Sequence, residues 1–207
     1  MPELSTFLLG VPDKIANLQL PDPVLRDYYR DEEDRTFWLD DDIDASTLDL
    51  IKMIVRCNKE DKDTPVDDRK PIKIMIDSGG GEIQVMLAII KAIKMSKTPV
   101  YTIVYCFAMS AAAQILAAGH KRYAFPGTCV MVHSGSAGMS GTMEQVESQK
   151  KYVEAIVKRA NSEFVNCTKI DAKTLKRKGA SDWYMDEDEA LKFGIVDEII
   201  QGYDDLF

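Results

Sequence analysis

Residues 72–119 read IKIMIDSGGGEIQVMLAIIKAIKMSKTPVYTIVYCFAMSAAAQILAAG, and the fold follows from this stretch. Its opening run, 72–76, is short, apolar and rich in isoleucine, as a strand buried on both faces requires. Gly79-Gly80-Gly81 breaks the run, and 83–95 is then apolar on most faces at a length that suits a helix. A second unit follows at once, with a strand over 100–104 and an alanine-rich helix over 109–118. The 100–118 run is the longest apolar one, yet Thr102, Ser110 and Gln114 interrupt it and alanine dominates, so it makes a poor membrane span. Strands alternating with helices at these lengths predict right-handed β-α-β crossovers and a mostly parallel sheet, an α/β fold.

The pattern extends in both directions. Upstream, RTFWL (35–39) reads as a strand, and 43–55 carries a helical apolar face at Leu48, Ile51, Ile54 and Val55. The intervening NKEDKDTPVDDRK (58–70) reads as a solvated loop. Residues 1–34 combine four prolines with the charge cluster 30–34 and show no period of 2 or 3.6, so they read as an extension or mobile arm ahead of one domain over 35–207. Downstream come a strand over 121–125, a Pro126-Gly127 turn and a strand over 128–133. The glycine- and serine-rich SGSAGMSG (134–141) leads into a helix opened by Thr142 and running to about residue 164. Met143, Val146, Val153, Ile156, Val157, Ala160 and Phe164 form one stripe on it, with Glu147/Lys151 and Glu154/Lys158 spaced i,i+4 on the other side. Roughly six turns exceed what one core needs, which predicts a projecting helix that packs on another subunit. A helix over 172–178, a strand over 183–185, a helix over 187–193 and a strand over 195–200 complete the domain.

Composition narrows the function. The 207 residues are 45% hydrophobic and 29% charged, with a net charge of −8 and a pI near 4.9. This is an ordinary globular chain that a nucleic-acid backbone or an anionic membrane would repel. Cys57, Cys106, Cys129 and Cys167 are widely spaced without a CxxC, which suits a reducing cytoplasm. An acid, Glu3, and no base precedes the first short apolar run, the wrong order for a secretory signal. No metal ligands and no cofactor-binding residues are assigned.

Three features carry candidate chemistry. Asp77-Ser78-Gly79-Gly80-Gly81 stands between a strand and a helix, where glycines let backbone N–H groups approach a developing negative charge; a plain tight turn reads the same way. Ser110 lies where a strand ends in small residues and a helix begins, a setting that exposes nucleophiles in hydrolases and equally suits a packing residue or cap. His133 ends a buried strand, where open α/β sheets place their ligands. The other histidine, His120, follows Gly119 and reads as a solvent-facing helix cap.

Taken in order, IMIDSGGGEI, YCFAMSAAAQILAAG, CVMVHSGSAG and ASDWYMDEDEALKFGIVDEII resemble the ClpP family, the proteolytic subunits of the Clp protease, over about 35–200. The resemblance implies a crotonase-like α/β fold of repeated β-α-β units with a projecting long helix. It implies a serine endopeptidase in which Ser110 is the nucleophile, His133 the general base and Asp182 the acid that orients it. The oxyanion hole would be the N–H groups of Gly81 and Ala111. An extended substrate would add as a strand along Gly80, Glu82 and Ile83 on one side and Ser134 and Gly135 on the other. It further implies two stacked heptameric rings in contact through the long helix and 134–141, a AAA+ unfoldase that uses the ATP, and unfolded polypeptides as substrates. The chain itself has no GxxxxGK[ST] loop. It departs from the family's usual pattern with SGGG for SPGG, Ala111 for Met, and Ser-Gly after His133 for Gln-Pro. Two rival functions share the fold: an acyl-CoA enzyme of the crotonase superfamily, and an inactive structural paralogue in a mixed ring.

Overall fold

The computed structural model describes residues 30–31, 33–135 and 138–206. The chain divides into two units, Met1–Asp34 and Arg35–Phe207. The arm read over 1–34 falls largely on residues 1–29 and 32, which lie outside the described residues, as do 136 and 137 of the glycine-rich segment.

In the second unit β1 (Thr36–Leu39) leads through a 3-10 turn (Ala45–Leu48) into α1 (Asp49–Glu60). Then follow β2 (Ile72–Ser78), α2 (Ile83–Met95), β3 (Val100–Met109), α3 (Ala111–Ala117), β4 (Lys121–Ala124) and β5 (Cys129–Val132). The long α4 (Met143–Cys167), α5 (Ala172–Lys178), β6 (Trp183–Asp186), α6 (Glu187–Lys192) and β7 (Glu198–Ile199) complete the order. The sheet runs β1-β2-β3-β4-β7, all parallel. The strand β5 lies parallel to β3 and carries β6 antiparallel on its far side. Repeated β-α-β units in a mostly parallel sheet are the expected α/β architecture.

The branch point is β3, which runs for ten residues and not only over 100–104. Its first half, 101–104, pairs with 121–124 of β4. Its second half turns away from β4, and 107–109 pairs with 129–131 of β5. A strand this long spans the sheet and ends at Ser110, so it delivers that residue to the carboxyl edge. Ile72, Ile74 and Ile76 of β2 are fully buried, as the isoleucine run requires of a central strand. On the main face the sheet packs under α1, α2 and α3, where Ala111, Ala112 and Ala113 are buried and their small side chains let the helix lie close. A smaller cluster of Met75, Ile103, Tyr123 and Ile200 covers the other face. No described helix is long and apolar enough to cross a membrane.

Four readings change. The helix α1 continues to Glu60, into the segment read as loop. Polar residues of this segment are anchored: Asn58, inside α1, donates to Ser96 Oγ at 2.7 Å, and the buried Asp61 just past it accepts from Arg35 at 2.7 and 2.8 Å and from Thr98 at 2.8 Å. His120 is exposed, as expected, but it caps no helix: its Nδ1 accepts the Val100 N–H at 2.9 Å and its own N–H donates to Val100 O at 2.8 Å. The last strand shrinks to Glu198–Ile199 because Ile195 and Val196 turn into the core instead of extending along the sheet.

The long helix is longer than its stripe suggested, at 25 residues or about 37 Å. Thr142 caps it through a reciprocal pair with Gln145. Only Ala160 and Phe164 are buried, both in its last eight residues, so the earlier turns project from the domain.

Candidate active site

The end of β3 and the start of α3 meet at Ser110, whose backbone sits at φ +55° and ψ −116°. Only one other described non-glycine residue, Arg35, has positive φ. Such strain at a strand-to-helix corner holds a serine hydroxyl clear of both elements, the geometry of a nucleophile elbow. The corner is held by the Ser110 N–H, which donates to Met131 O at 2.8 Å and prolongs the β3–β5 ladder.

That ladder fixes the histidine. His133 directly follows β5, two residues beyond Met131, and its Nε2 lies 2.8 Å from Ser110 Oγ. On the other side of the ring Nδ1 is 3.4 Å from Asp182 Oδ1. This is about half an ångström longer than an ordinary N–H···O bond. Asp182 directly precedes β6, and the antiparallel pairing of Val132 with Trp183 brings the strand ends together. The three residues named from the sequence therefore converge in the order serine, histidine, aspartate.

The glycine turn closes on the same point. A Cβ added at Gly80 would lie 2.8 Å from Ser110 Cβ and 3.0 Å from Ala111 N, so only glycine lets the turn approach the serine this closely. At Gly81 a Cβ would strike Ile43 O at 2.2 Å. Ile43 forms a one-residue parallel bridge to Gly81, in which Ile43 N donates to Gly80 O at 2.8 Å and Glu82 N donates to Ile43 O at 2.7 Å. In an extended segment alternate peptide groups face opposite edges. Gly80 O and Glu82 N–H are thus taken by Ile43, while the N–H of Gly81 has no acceptor among the described residues. The Gly80 N–H, in turn, donates to Ser78 Oγ at 3.2 Å, and that hydroxyl donates to Asp41 O at 2.6 Å.

Three residues expected along the substrate are therefore engaged otherwise, the first being Gly80, whose N–H goes to Ser78 and whose carbonyl goes to Ile43. The N–H of Glu82 belongs to the Ile43 bridge. Ser134 gives both its N–H and its hydroxyl to Gly179 O, at 2.7 and 2.6 Å. Gly135, at φ +80°, has open space where a Cβ would lie. Ile43, Ser78 and Gly179 were not singled out from the sequence as site residues. Ser78 stood inside the glycine motif, but Ile43 and Gly179 act through backbone atoms, and no side chain announces them.

A cavity of about 870 Å³ borders His133 between α4 and α5, with Ser134, Lys158, Asn161, Leu175 and Lys176 in its wall. Among the described residues no group of three or more His, Cys, Asp or Glu side chains is placed to hold a metal ion.

Comparisons with known proteins identify the family. The Clp protease family model matches residues 31–203. An ATP-dependent Clp protease proteolytic subunit of Deinococcus radiodurans is 34% identical over 140 residues, covering 65% of this chain and 69% of that protein. The chloroplastic proteolytic subunit 4 of Arabidopsis thaliana is 34% identical over 138 residues, 66% of this chain and 47% of the relative. Proteolytic subunit 1 of Streptomyces avermitilis is 30% identical over 142 residues, 68% of this chain and 65% of the relative. The match thus spans about two thirds of the two bacterial relatives and about half of the plant one. With the family model covering most of the chain, and a mostly parallel α/β fold that fits it, the chain belongs to the Clp protease family, the serine peptidases of the ClpP type.

Proposed function

We propose that the chain is the proteolytic subunit of an ATP-dependent protease and cleaves peptide bonds through Ser110, His133 and Asp182. The observation that carries the reading is the 2.8 Å contact between Ser110 Oγ and His133 Nε2 at a strained corner. A serine hydroxyl attacks a carbonyl only as its proton leaves, and His133 is within reach to take it. Asp182 holds the ring so that Nε2 is the accepting nitrogen and balances the imidazolium that forms. His133 then returns the proton to the leaving amine, and a water repeats the sequence to release the acyl group.

The carbonyl oxygen becomes negative in the tetrahedral intermediate. Gly81 N–H is unengaged among the described residues, and Ala111 N–H is the first of α3, with no carbonyl a turn behind it inside the helix. These two N–H groups form the oxyanion hole, where one donor is typically worth ~10²–10³ in kcat. The Gly81 edge left open by the Ile43 bridge offers the strand along which an extended substrate pairs, with Ile83 next on the same side. Backbone pairing of this kind favours unfolded polypeptide over a defined sequence.

The assembly is two stacked heptameric rings with the sites inside, fed by a AAA+ unfoldase that supplies the ATP step. The projecting α4 and the names of the relatives support this reading. Four free thiols suit a reducing, cytoplasmic setting. The test of the chemistry is labelling by a fluorophosphonate, mapped by mass spectrometry, beside hydrolysis of a fluorogenic peptide. Ser110→Ala is expected to abolish both and leave particle mass unchanged, because it removes one oxygen and keeps the helix start. Labelling that moves to Ser78 or Ser134, or turnover of an acyl-CoA thioester without peptide cleavage, would refute it.

A further inference from the structure

We propose that Ser134 is a positioning residue: it locks the 179–182 turn, which carries Asp182, to the strand end that carries His133. The inference rests on the reading of His133 as base and Asp182 as the acid that orients it.

The two residues of this pair lie in a small closed loop with a clamp on each side. One clamp is the β5–β6 register, in which Val132, just before His133, pairs with Trp183, just after Asp182. The other is Ser134, just after His133, whose N–H and hydroxyl both donate to Gly179 O at 2.7 and 2.6 Å. Gly179 is the C-cap of α5, and carbonyls at a helix end lack donors inside the helix. Ser134 supplies them. The approach is close enough that a Cβ on Gly179 would meet Leu175 O at 2.8 Å and the backbone of His133 at 3.8 Å.

Asp182 needs such a clamp. Its side chain is 54% exposed, and its only ion pair among the described residues is the 3.4 Å contact with His133. With no second partner among the described residues, the carboxylate is placed by its backbone, which is anchored on one side at Gly179 and on the other at Trp183. A hydroxyl at 134 doubles the bond on the side where no strand register operates. The same two hydrogen bonds take up the donors through which Ser134 would have met a substrate, so its effect should fall on turnover and not on substrate affinity.

The experiment is steady-state hydrolysis of a fluorogenic peptide by the full assembled chain, with kcat and KM separated. It compares Ser134→Ala, Ser134→Thr, Asp182→Asn and the Ser134→Ala/Asp182→Asn pair. Ser134→Ala keeps the backbone bond and alters an exposed position, so the fold persists, which particle mass verifies. Its kcat is expected to fall about three- to tenfold, the range one neutral hydrogen bond supports, with KM unchanged. Ser134→Thr, which keeps the hydroxyl, should stay within about twofold of the parent. In the Asp182→Asn background Ser134→Ala should cost nothing more, because the group it positions is already lost. A change confined to KM would make Ser134 a substrate contact. Equal losses in both backgrounds, or parental turnover in Ser134→Ala, would also overturn the proposal. Failure of the underlying reading shows separately, as peptidase activity that survives His133→Ala.

Discussion

Ser110 illustrates what a residue's neighbours in sequence do and do not reveal. A serine among alanines at the end of an apolar run has many uses, and the feature that sets it apart is a backbone angle, φ +55°, which no side chain encodes. The angle is imposed by tertiary pairing, through the Met131 O bond on one side and the buried start of α3 on the other. Asp182 is harder still to read, because one carboxylate in a run that includes Asp186, Glu187 and Asp188 differs from them only by lying opposite His133. Family resemblance, not spacing, picked it out. The role proposed for it makes a definite demand: Asp182→Asn should lower kcat by about 10³–10⁴-fold with the fold intact, since an amide favours the wrong imidazole tautomer. Peptide turnover within tenfold of the parent would assign the orienting role elsewhere. Gly80 was read from the sequence as a substrate contact, whereas the structure gives it another task, since only glycine lets the turn approach Ser110 this closely. Gly80→Ala would push a methyl to 2.8 Å from Ser110 Cβ at a backbone of φ +105°, and fluorophosphonate labelling of Ser110 should fall at least about tenfold. Unaltered labelling would mean that the turn does not abut Ser110.

At the scale of elements, the order of strands and helices was readable from run length and turn residues, but the junctions and the buried face of α1 were not: Leu48 and Val55 of the expected face are exposed, while Leu50, Met53 and Cys57 are buried beside Ile54. The segment 58–70 looked like a solvated charge run, yet its first residues tie three elements together. Asp61 lies just past α1, Arg35 just before β1 and Thr98 just before β3, and the carboxylate bonds to both of the others. Composition cannot separate a charge that faces water from one that faces a distant arginine. The hydrogen bonds from Arg35 hold the Asp61 carboxyl below its usual range, against the burial that opposes them, with Thr98 helping. A carboxyl lowered in this way adds stability that is present above its unfolded value, about 3.9, and is lost as pH falls through the lower folded value. Asp61→Asn should therefore cost about 3 kcal/mol in urea unfolding at pH 7, because it leaves the Arg35 charge without its main partner. The gap between variant and parent should narrow below about pH 4. A constant gap across that window would show that the loss is one of packing and not of charge.

For the whole molecule, the feature that a lone domain does not explain is α4. Its final turns are held by Ala160 and Phe164 in the core, while Met143 is 82% exposed and Tyr152 57% exposed. A free helix of this length would fray in water, since most helical stability in proteins comes from a packed face. Val146 and Val153 stand on the stripe read from the sequence and are only half-buried, so the stripe is incomplete within one chain. Another copy's α4 would complete it, and the ends of two such helices would meet where one ring faces the next. The parent should then scatter light as a particle many times 23.2 kDa. A charge on each half-buried valine would be desolvated at that contact and opposed by its symmetry mate, a penalty of several kcal/mol across many copies. Val146→Glu/Val153→Glu should thus yield particles of half the parental mass at micromolar concentration. Peptidase activity should fall with them, because the 138–141 stretch that opens α4 lies only a few residues beyond His133. The decisive measurement pairs particle mass with turnover over a concentration series. A monodisperse monomer for the parent, or half-mass particles with full turnover for the variant, would separate assembly from catalysis and refute the stacked arrangement.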